Sequence, residues 1–270
     1  MLTAALEPAP DWAWLIDPSV QIGQEKCLVI LGIRQSDLPP PGQALTHADL
    51  KLVALLPRKS WTQREVEAAL VAATARTGVP RVIVTDRGID IHGGVRYFQK
   101  RHPQRRKIYD AKHKAASVLK GRLDKSPRWQ AFQTLLGQTQ CAIQQTELAF
   151  LGPPALKPKA RFVNLDGTLQ GVGKVLAIVQ QPPPVVVEQV SLERLQEKLG
   201  WLMEFSADIA EWREWQAIVN GVVTFVNQQG VARGAAATLR AALPGSLQHP
   251  SSQALKNELV AFVAEQARRT

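Results

Sequence analysis

Arg81-Val82-Ile83-Val84-Thr85-Asp86-Arg87-Gly88 is a short β-branched run closed by an acid, and Trp12-Ala13-Trp14-Leu15-Ile16-Asp17 has the same form. Each apolar run reads as a buried strand, and each aspartate falls at its C-terminal edge. A charge just past a strand end is costly unless paired or coordinated, so such carboxylates face a ligand or a metal rather than the core. Each also has a plainer reading. Asp17-Pro18-Ser19 suits a turn, and Asp86-Arg87-Gly88 suits a loop. The shared strand-end context favours the functional reading of the pair over that of either acid alone.

Working outward, residues 12–22 and 26–34 are apolar, partly β-branched runs separated by Gly23-Gln24-Glu25, which predicts an antiparallel hairpin. A Pro-rich loop at Pro39-Pro40-Pro41-Gly42 precedes a third strand over 50–56. Thr62-Gln63-Arg64-Glu65 is a capping box, opening a helix that runs to Thr77-Gly78 with Val66, Ala69, Leu70 and Ala73 on one face. A fourth strand follows over 82–84, then a short helix over 94–101, a fifth strand over 107–109 and a basic helix over 111–123. The predicted fold class is α/β: a ribonuclease-H-like mixed sheet, with antiparallel strands first and parallel ones after.

The rest contains little that resembles a strand. Residues 129–151 carry Trp129, Phe132, Leu135, Leu136 and Ile143 at helical spacing, and 191–228 predicts one or two amphipathic helices. Gly152-Pro153-Pro154 and Gln181-Pro182-Pro183-Pro184 separate the helical blocks. A last helix spans 251–268, with a serine as its expected cap. The chain therefore divides into a catalytic core over 1–123, partial by this reading, and an all-α region over 124–270.

Composition agrees with that class. The 270 residues are 45% hydrophobic, enough for a substantial core, and the formal charge of +10 favours polyanionic partners such as nucleic acid. Cys27 and Cys141 make no ligand-spaced cluster, which argues against a zinc ribbon or a disulfide framework and for a reducing, cytoplasmic setting. No signal-peptide pattern and no run long enough to span a bilayer is present, so a soluble chain is expected.

Phosphodiester hydrolysis or transfer by two magnesium or manganese ions needs carboxylates from different elements converging on one point. Asp17 and Asp86 can meet only if their strands are neighbours, as the expected fold makes them. Together with Asp110-Ala111-Lys112-His113, these acids resemble the DDE transposases, in particular the bacterial insertion-sequence type and the branch with a helical insertion. The resemblance runs through Val84-Thr85-Asp86-Arg87-Gly88-Ile89-Asp90-Ile91 and Ile108-Tyr109-Asp110-Ala111-Lys112-His113-Lys114. It implies cleavage and transfer of DNA strands by two metal ions held by Asp17 and Asp86, action on transposon ends and target, and an oligomer on DNA. It also implies a bacterial, nucleoid-associated setting.

Asp110 and His113 lie one turn apart on a helix entered at Asp110, so the carboxylate can orient the imidazole or both can contact DNA; Asp110 is equally well placed as a helix N-cap. Arg105, Arg106, Lys107, Lys112, Lys114, Lys120 and Arg122 form an excess of one sign suited to phosphates, or else a solvated face. Lys157-Pro158-Lys159-Ala160-Arg161 is a second basic stretch. Trp129, Trp201, Trp212 and Trp215 read as core, with base stacking as the sharper alternative. Asp90 reads as a loop residue.

The third acid of a DDE site is the open position. Glu147, Glu204, Glu211 and Glu214 all lie on predicted helices, and Glu204 is preferred because it stands between apolar residues. No return of the chain to the catalytic core is visible in the sequence, and the chain is expected to be one piece of a longer reading frame. An inactive or domesticated remnant that binds DNA without cutting it is the alternative to an active recombinase.

Overall fold

The protein is described here by a computed structural model, over residues 6–40, 43, 45–86, 88–154 and 165–268. The chain forms two compact units. The first gathers Met1–Lys114, Thr224–Leu239 and Val260–Thr270; the second gathers Ala115–Val223 and Arg240–Leu259.

The first unit is α/β and is built on a five-stranded mixed sheet. β1 (Trp12–Ile22) and β2 (Glu25–Arg34) form the expected antiparallel hairpin, and Gly23 at φ 60° supplies the left-handed turn residue. β3 (Lys51–Arg58) pairs antiparallel with β2. α1 (Gln63–Thr77) starts at the capping box: Glu65 N–H donates to Thr62 Oγ1 at 3.3 Å, and Thr62 N–H donates to Glu65 Oε2 at 2.9 Å. It stops at Gly78, whose φ of 76° suits only glycine without strain. β4 (Val82–Thr85) pairs parallel with β1, α2 (Ile89–Arg101) follows, and β5 (Arg106–Tyr109) pairs parallel with β4. The order across the sheet is β3-β2-β1-β4-β5.

Strand alternation sorts this sheet into two faces. Trp12, Trp14, Ile16, Leu28, Ile30 and Ile83 pack with Val66, Leu70, Val95 and Phe98 of α1 and α2 in one core. Leu15, Asp17, Val29, Leu31 and Val84 therefore belong to the opposite face. α2 begins five residues before the start expected at 94, although Gly93-Gly94 lowers helix propensity. The glycines are needed where α2 meets α1: a Cβ on Gly94 would lie 2.4 Å from Val66 Cγ1 and 2.9 Å from the Gln63 carbonyl. Close packing between helices outweighs the local preference.

The second unit is helical among the described residues. Its helices are the later part of α3 (Ala111–Leu123), then α4 (Pro127–Ile143), α5 (Leu165–Gln180), α6 (Pro184–Val187), α7 (Leu192–Leu199), most of α8 (Ser206–Gln229), the end of α9 (Ala235–Ala242) and the first half of α10 (Pro250–Ala267). The tryptophans build its core. Trp129 meets Trp212 edge-on at 4.7 Å, and Phe132 lies 5.4 Å from Trp129 and 5.0 Å from Trp212. Trp201 is engaged through its N–H, which donates to Thr139 Oγ1 at 2.9 Å.

Two expectations change here. The helix expected over 129–151 ends at Ile143 and gives way to turns and a short 3-10 helix, Ala149–Leu151. α10 starts at Pro250, and Ser251 and Ser252 lie inside its first turn rather than before it. Glu214 of α8 serves that end instead, accepting from Gln248 N–H at 2.7 Å and His249 N–H at 3.3 Å, while the Ser251 hydroxyl donates to Glu211. A carboxylate from a neighbouring helix thus takes the amides that lead into α10, the place of the glutamate of a capping box rather than of its serine.

The chain also returns to the first unit, where the sequence shows no return. Phe262 stands edge-on to Tyr109 at 5.8 Å, and Gln266 Oε1 accepts from the Tyr109 N–H at 2.9 Å. The first unit accordingly gathers the chain up to Lys114 together with two later segments.

Candidate nucleic-acid site

Register builds the site. Ile16 is opposite Thr85 and Thr85 is opposite Tyr109 in the parallel ladders. One residue further on each strand are Asp17, Asp86 and Asp110. With parallel strands about 4.8 Å apart, the main chain carries the three acids side by side in one row. A bulge between Asp17 and Val20 interrupts the pairing of β1 with β2 just past the first acid, a device that re-aims side chains at strand ends. The turn reading of Asp17 does not hold, because β1 continues through Pro18 to Ile22.

Asp17, Asp86, Asp110 and His113 line one cleft of about 160 Å3, floored by Leu15, Val29, Leu31 and Val84 of the sheet face away from α1 and α2. Asp86 is half-buried, and its Oδ1 accepts from the Gly88 N–H at 3.0 Å, which fixes the carboxylate against the loop that leads into α2. A Cβ on Gly88 would stand 3.2 Å from that oxygen. Asp90, expected in a loop, is in the first turn of α2 and does not line this cleft.

Asp110 realises both of its readings. Its Oδ1 accepts from the N–H groups of Lys112 at 2.7 Å and His113 at 3.1 Å, the work of an N-cap, and its Oδ2 lies 3.1 Å from His113 Nδ1. The imidazole is thereby held one turn into α3. Burial raises the Asp110 pKa, but the His113 ring and the two amides outweigh it and hold the carboxyl below the usual range. The hydrogen bond to Asp110 raises the His113 pKa; burial opposes this, and the charges of Asp110, Asp86 and Asp17 add to the rise. The imidazole therefore sits in the combined field of all three acids.

The donors in the cleft suit a hard divalent cation in kind, since magnesium and manganese take carboxylate oxygens and are commonly held by one or two of them plus substrate phosphates. Asp17 and Asp86 supply such oxygens. Asp110 does not add to them, because both its oxygens are turned to α3. Among the described residues no three His, Cys, Asp or Glu side chains are grouped so as to hold a metal ion.

The basic residues divide. Arg106, Lys112 and Lys120 are exposed, Arg105, Lys107 and Lys114 half-buried. Lys107 Nζ donates to His92 Nδ1 at 2.8 Å, and Lys120 lies 3.8 Å from Asp124. Arg122 is engaged within the second unit, donating to Glu258 at 3.2 Å and to the Ser251 carbonyl at 3.4 Å. Lys157 to Arg161 lies outside the described residues.

The glutamates considered for the third acid all belong to the second unit. Glu147 pairs with Arg194 at 3.1 Å, and Glu211 and Glu214 serve the start of α10. Glu204 is exposed on the 3-10 turn Gly200–Phe205, its main-chain carbonyl accepting from Arg128 at 2.6 Å. None of the four is among the residues lining the cleft.

Gln266 is the residue that sequence reasoning missed. β5 is an edge strand, and the Gln266 side-chain oxygen accepts from its main-chain N–H at Tyr109, immediately before Asp110. Gln266 is only 1% exposed. A buried glutamine on an otherwise apolar helix face is the one signal in the sequence that could have marked it. Among the described residues no helix is long and apolar enough to cross a membrane. No family model matches the chain, and no curated protein matches it significantly.

Proposed function

We propose that the first unit is the catalytic region of a metal-dependent enzyme that cuts and joins DNA strands, with a ribonuclease-H-like sheet and a site of the DDE-transposase kind. The observation that carries this reading is the row of Asp17, Asp86 and Asp110 at the ends of three adjacent strands, lining one cleft with His113. The strand order β3-β2-β1-β4-β5, antiparallel on one side of β1 and parallel on the other, supports it as well.

Asp17 and Asp86 would hold magnesium or manganese; such ions, one or two of them, activate the attacking oxygen and stabilise the leaving one. Asp110 keeps His113 aimed at the cleft and cationic to a higher pH, so that the imidazolium can donate to a phosphate oxygen. Arg106 and Lys112 extend positive charge for the flanking phosphates, giving affinity that depends on salt and little on sequence. Glu204 is not among the residues lining the cleft, so the third carboxylate of the set would have to come from elsewhere.

The second reading, a remnant that binds DNA without cutting it, is favoured by one observation: among the described residues no three His, Cys, Asp or Glu side chains are grouped so as to hold a metal ion, the Asp110 oxygens being engaged by α3. A magnesium- or manganese-dependent cleavage assay on donor-end DNA separates the two. Cutting by the wild type and its loss in Asp17→Ala and Asp86→Ala support the enzyme. Equally poor cutting by all three, with DNA still bound, leaves the remnant.

A further inference from the structure

A cluster of cations lies on the side of the first unit turned away from the acid cleft. α1 and α2 cover the sheet face opposite the one that floors the cleft. Between these helices Glu67 is only 6% exposed, and its two oxygens take one arginine each. Arg64 Nη1 donates to Oε2 and Arg101 Nε donates to Oε1, both at 2.9 Å. The Arg64 guanidinium also lies over the Tyr97 ring at 3.9 Å, and Lys100 Nζ stands 5.8 Å from the same ring.

As a clamp joining α1 to α2, this cluster is over-supplied with positive charge. One arginine would neutralise Glu67; the other, with Lys100, is left over. Glu65, the other acid of α1, is paired with Arg58 at 2.6 Å, and Asp90, the acid of α2, is at the opposite end of that helix from Lys100 and Arg101. The arginine side chains stay largely in water, Arg64 at 70% and Arg101 at 63% exposure. A guanidinium carries five N–H groups, and each of these two gives Glu67 one, so most of each fork remains for an outside acceptor. A buried carboxylate and an aromatic ring thus hold exposed forks in fixed orientations, which lowers the ordering cost of binding an anion. Planar forks of this kind match phosphate oxygens in pairs.

We propose that Arg64, Lys100 and Arg101 grip the phosphodiester backbone of a DNA segment other than the one at Asp17 and Asp86. The inference rests on the proposed function, which makes DNA the polyanion. α2 begins just past Asp86, and Tyr97 to Arg101 lie ~12–18 Å along it, so a phosphate at the acids is beyond the reach of these side chains. Contacts to the backbone position a duplex without reading its sequence.

The test uses the full chain and duplexes of unrelated sequence, with affinity read by fluorescence anisotropy over a salt series without divalent metal. The variant Arg64→Ala/Glu67→Ala/Arg101→Ala removes the clamp whole and leaves no buried charge unpaired. Lys100→Ala, exposed and outside the clamp, carries the test if circular dichroism shows the triple variant unfolded. The slope of log affinity against log salt should fall by about 2 in the triple variant and about 1 in Lys100→Ala, equally for every sequence. Duplex should also slow amide exchange over 64–67 and 97–101 of the wild type. If slope and affinity stay at wild-type values while Asp86-dependent cutting persists, the surface is overturned and the proposed function stands. If the slope falls but no metal-dependent cutting occurs, the surface stands and the enzymatic reading fails. Absence of DNA binding overturns both, and polyglutamate held through the same residues would then mark an acidic protein as the occupant.

Discussion

The acids of the two units have different work. In the second unit, Asp208 takes Arg128 at 2.6 Å, Glu147 takes Arg194 at 3.1 Å, and Glu214 takes the amides of Gln248 and His249. These carboxylates hold helices together. In the first unit, Asp17 and Asp86 sit at strand ends and line a cleft, and Asp110 holds a histidine toward it. The difference follows from geometry: helix packing puts side chains against other helices, whereas parallel strands end together and leave their last side chains at a common rim. An acid on a helix in this molecule is more readily explained by folding, an acid at a strand end by a ligand.

Exchanging acid for amide on each side is the sharpest way to break that contrast. Asp86→Asn should lower metal-dependent cleavage roughly a thousandfold or more while leaving unfolding free energy within ~0.5 kcal/mol, checked by an end-labelled DNA assay and a urea titration. A large loss of stability with cleavage retained would put Asp86 with the structural acids.

Gln266→Leu comes next. It removes the acceptor for the buried Tyr109 N–H, so a cost of about 1–3 kcal/mol is expected, together with faster exchange of that amide in hydrogen-exchange NMR. Unchanged exchange at Tyr109 would mean that β5 is held without the α10 segment.

Glu214→Gln should cost about 1 kcal/mol, the usual size of a lost cap, with cleavage unaffected. Burial raises the Glu214 pKa, but the Ser252 hydroxyl and the amides of Gln248 and His249 outweigh it and depress the value. The stabilisation is therefore present above the ordinary glutamate pKa and is lost as pH falls through the depressed one. A wild-type and variant pair of thermal melts across that acid range should converge at the low end; parallel curves would count against the cap.

The smallest effect concerns His113. Its pKa is raised by Asp110, so the protonated form is favoured in the folded state. The resulting stabilisation is complete below the ordinary histidine pKa and disappears as pH rises through the raised value. Asp110→Asn should move the titration of His113 to lower pH, readable from imidazole NMR shifts, and weaken DNA binding in the same window. A titration unmoved by that change would separate Asp110 from the imidazole.

Much of the first unit was legible in advance because its determinants are local. The Thr62 to Glu65 capping box, the left-handed glycine at 78 and the β-branched run before Asp86 each specify their element within a few residues. The start of α2 was not, since Gly93-Gly94 argues against a helix until α1 is there to pack on. The cap of α10 was also missed, because Glu214 reaches it from another helix. Of the cleft, Asp17, Asp86, Asp110 and His113 were named from sequence; Gln266 was not, because its role exists only where α10 meets an edge strand.

By itself the sequence determined the order of strands and helices as far as α3, the acids at strand ends and the Asp110 to His113 turn, since alternation, capping and strand termination are properties of neighbouring residues; the helices at Leu165–Gln180 and Ala235–Ala242 were not read from it. Only tertiary structure decided that three aspartates share one row, that the glutamates of the second unit are committed to its helices, and that the end of the chain rejoins the sheet. Those facts depend on strand register and on contacts between distant segments, which no short window of sequence contains.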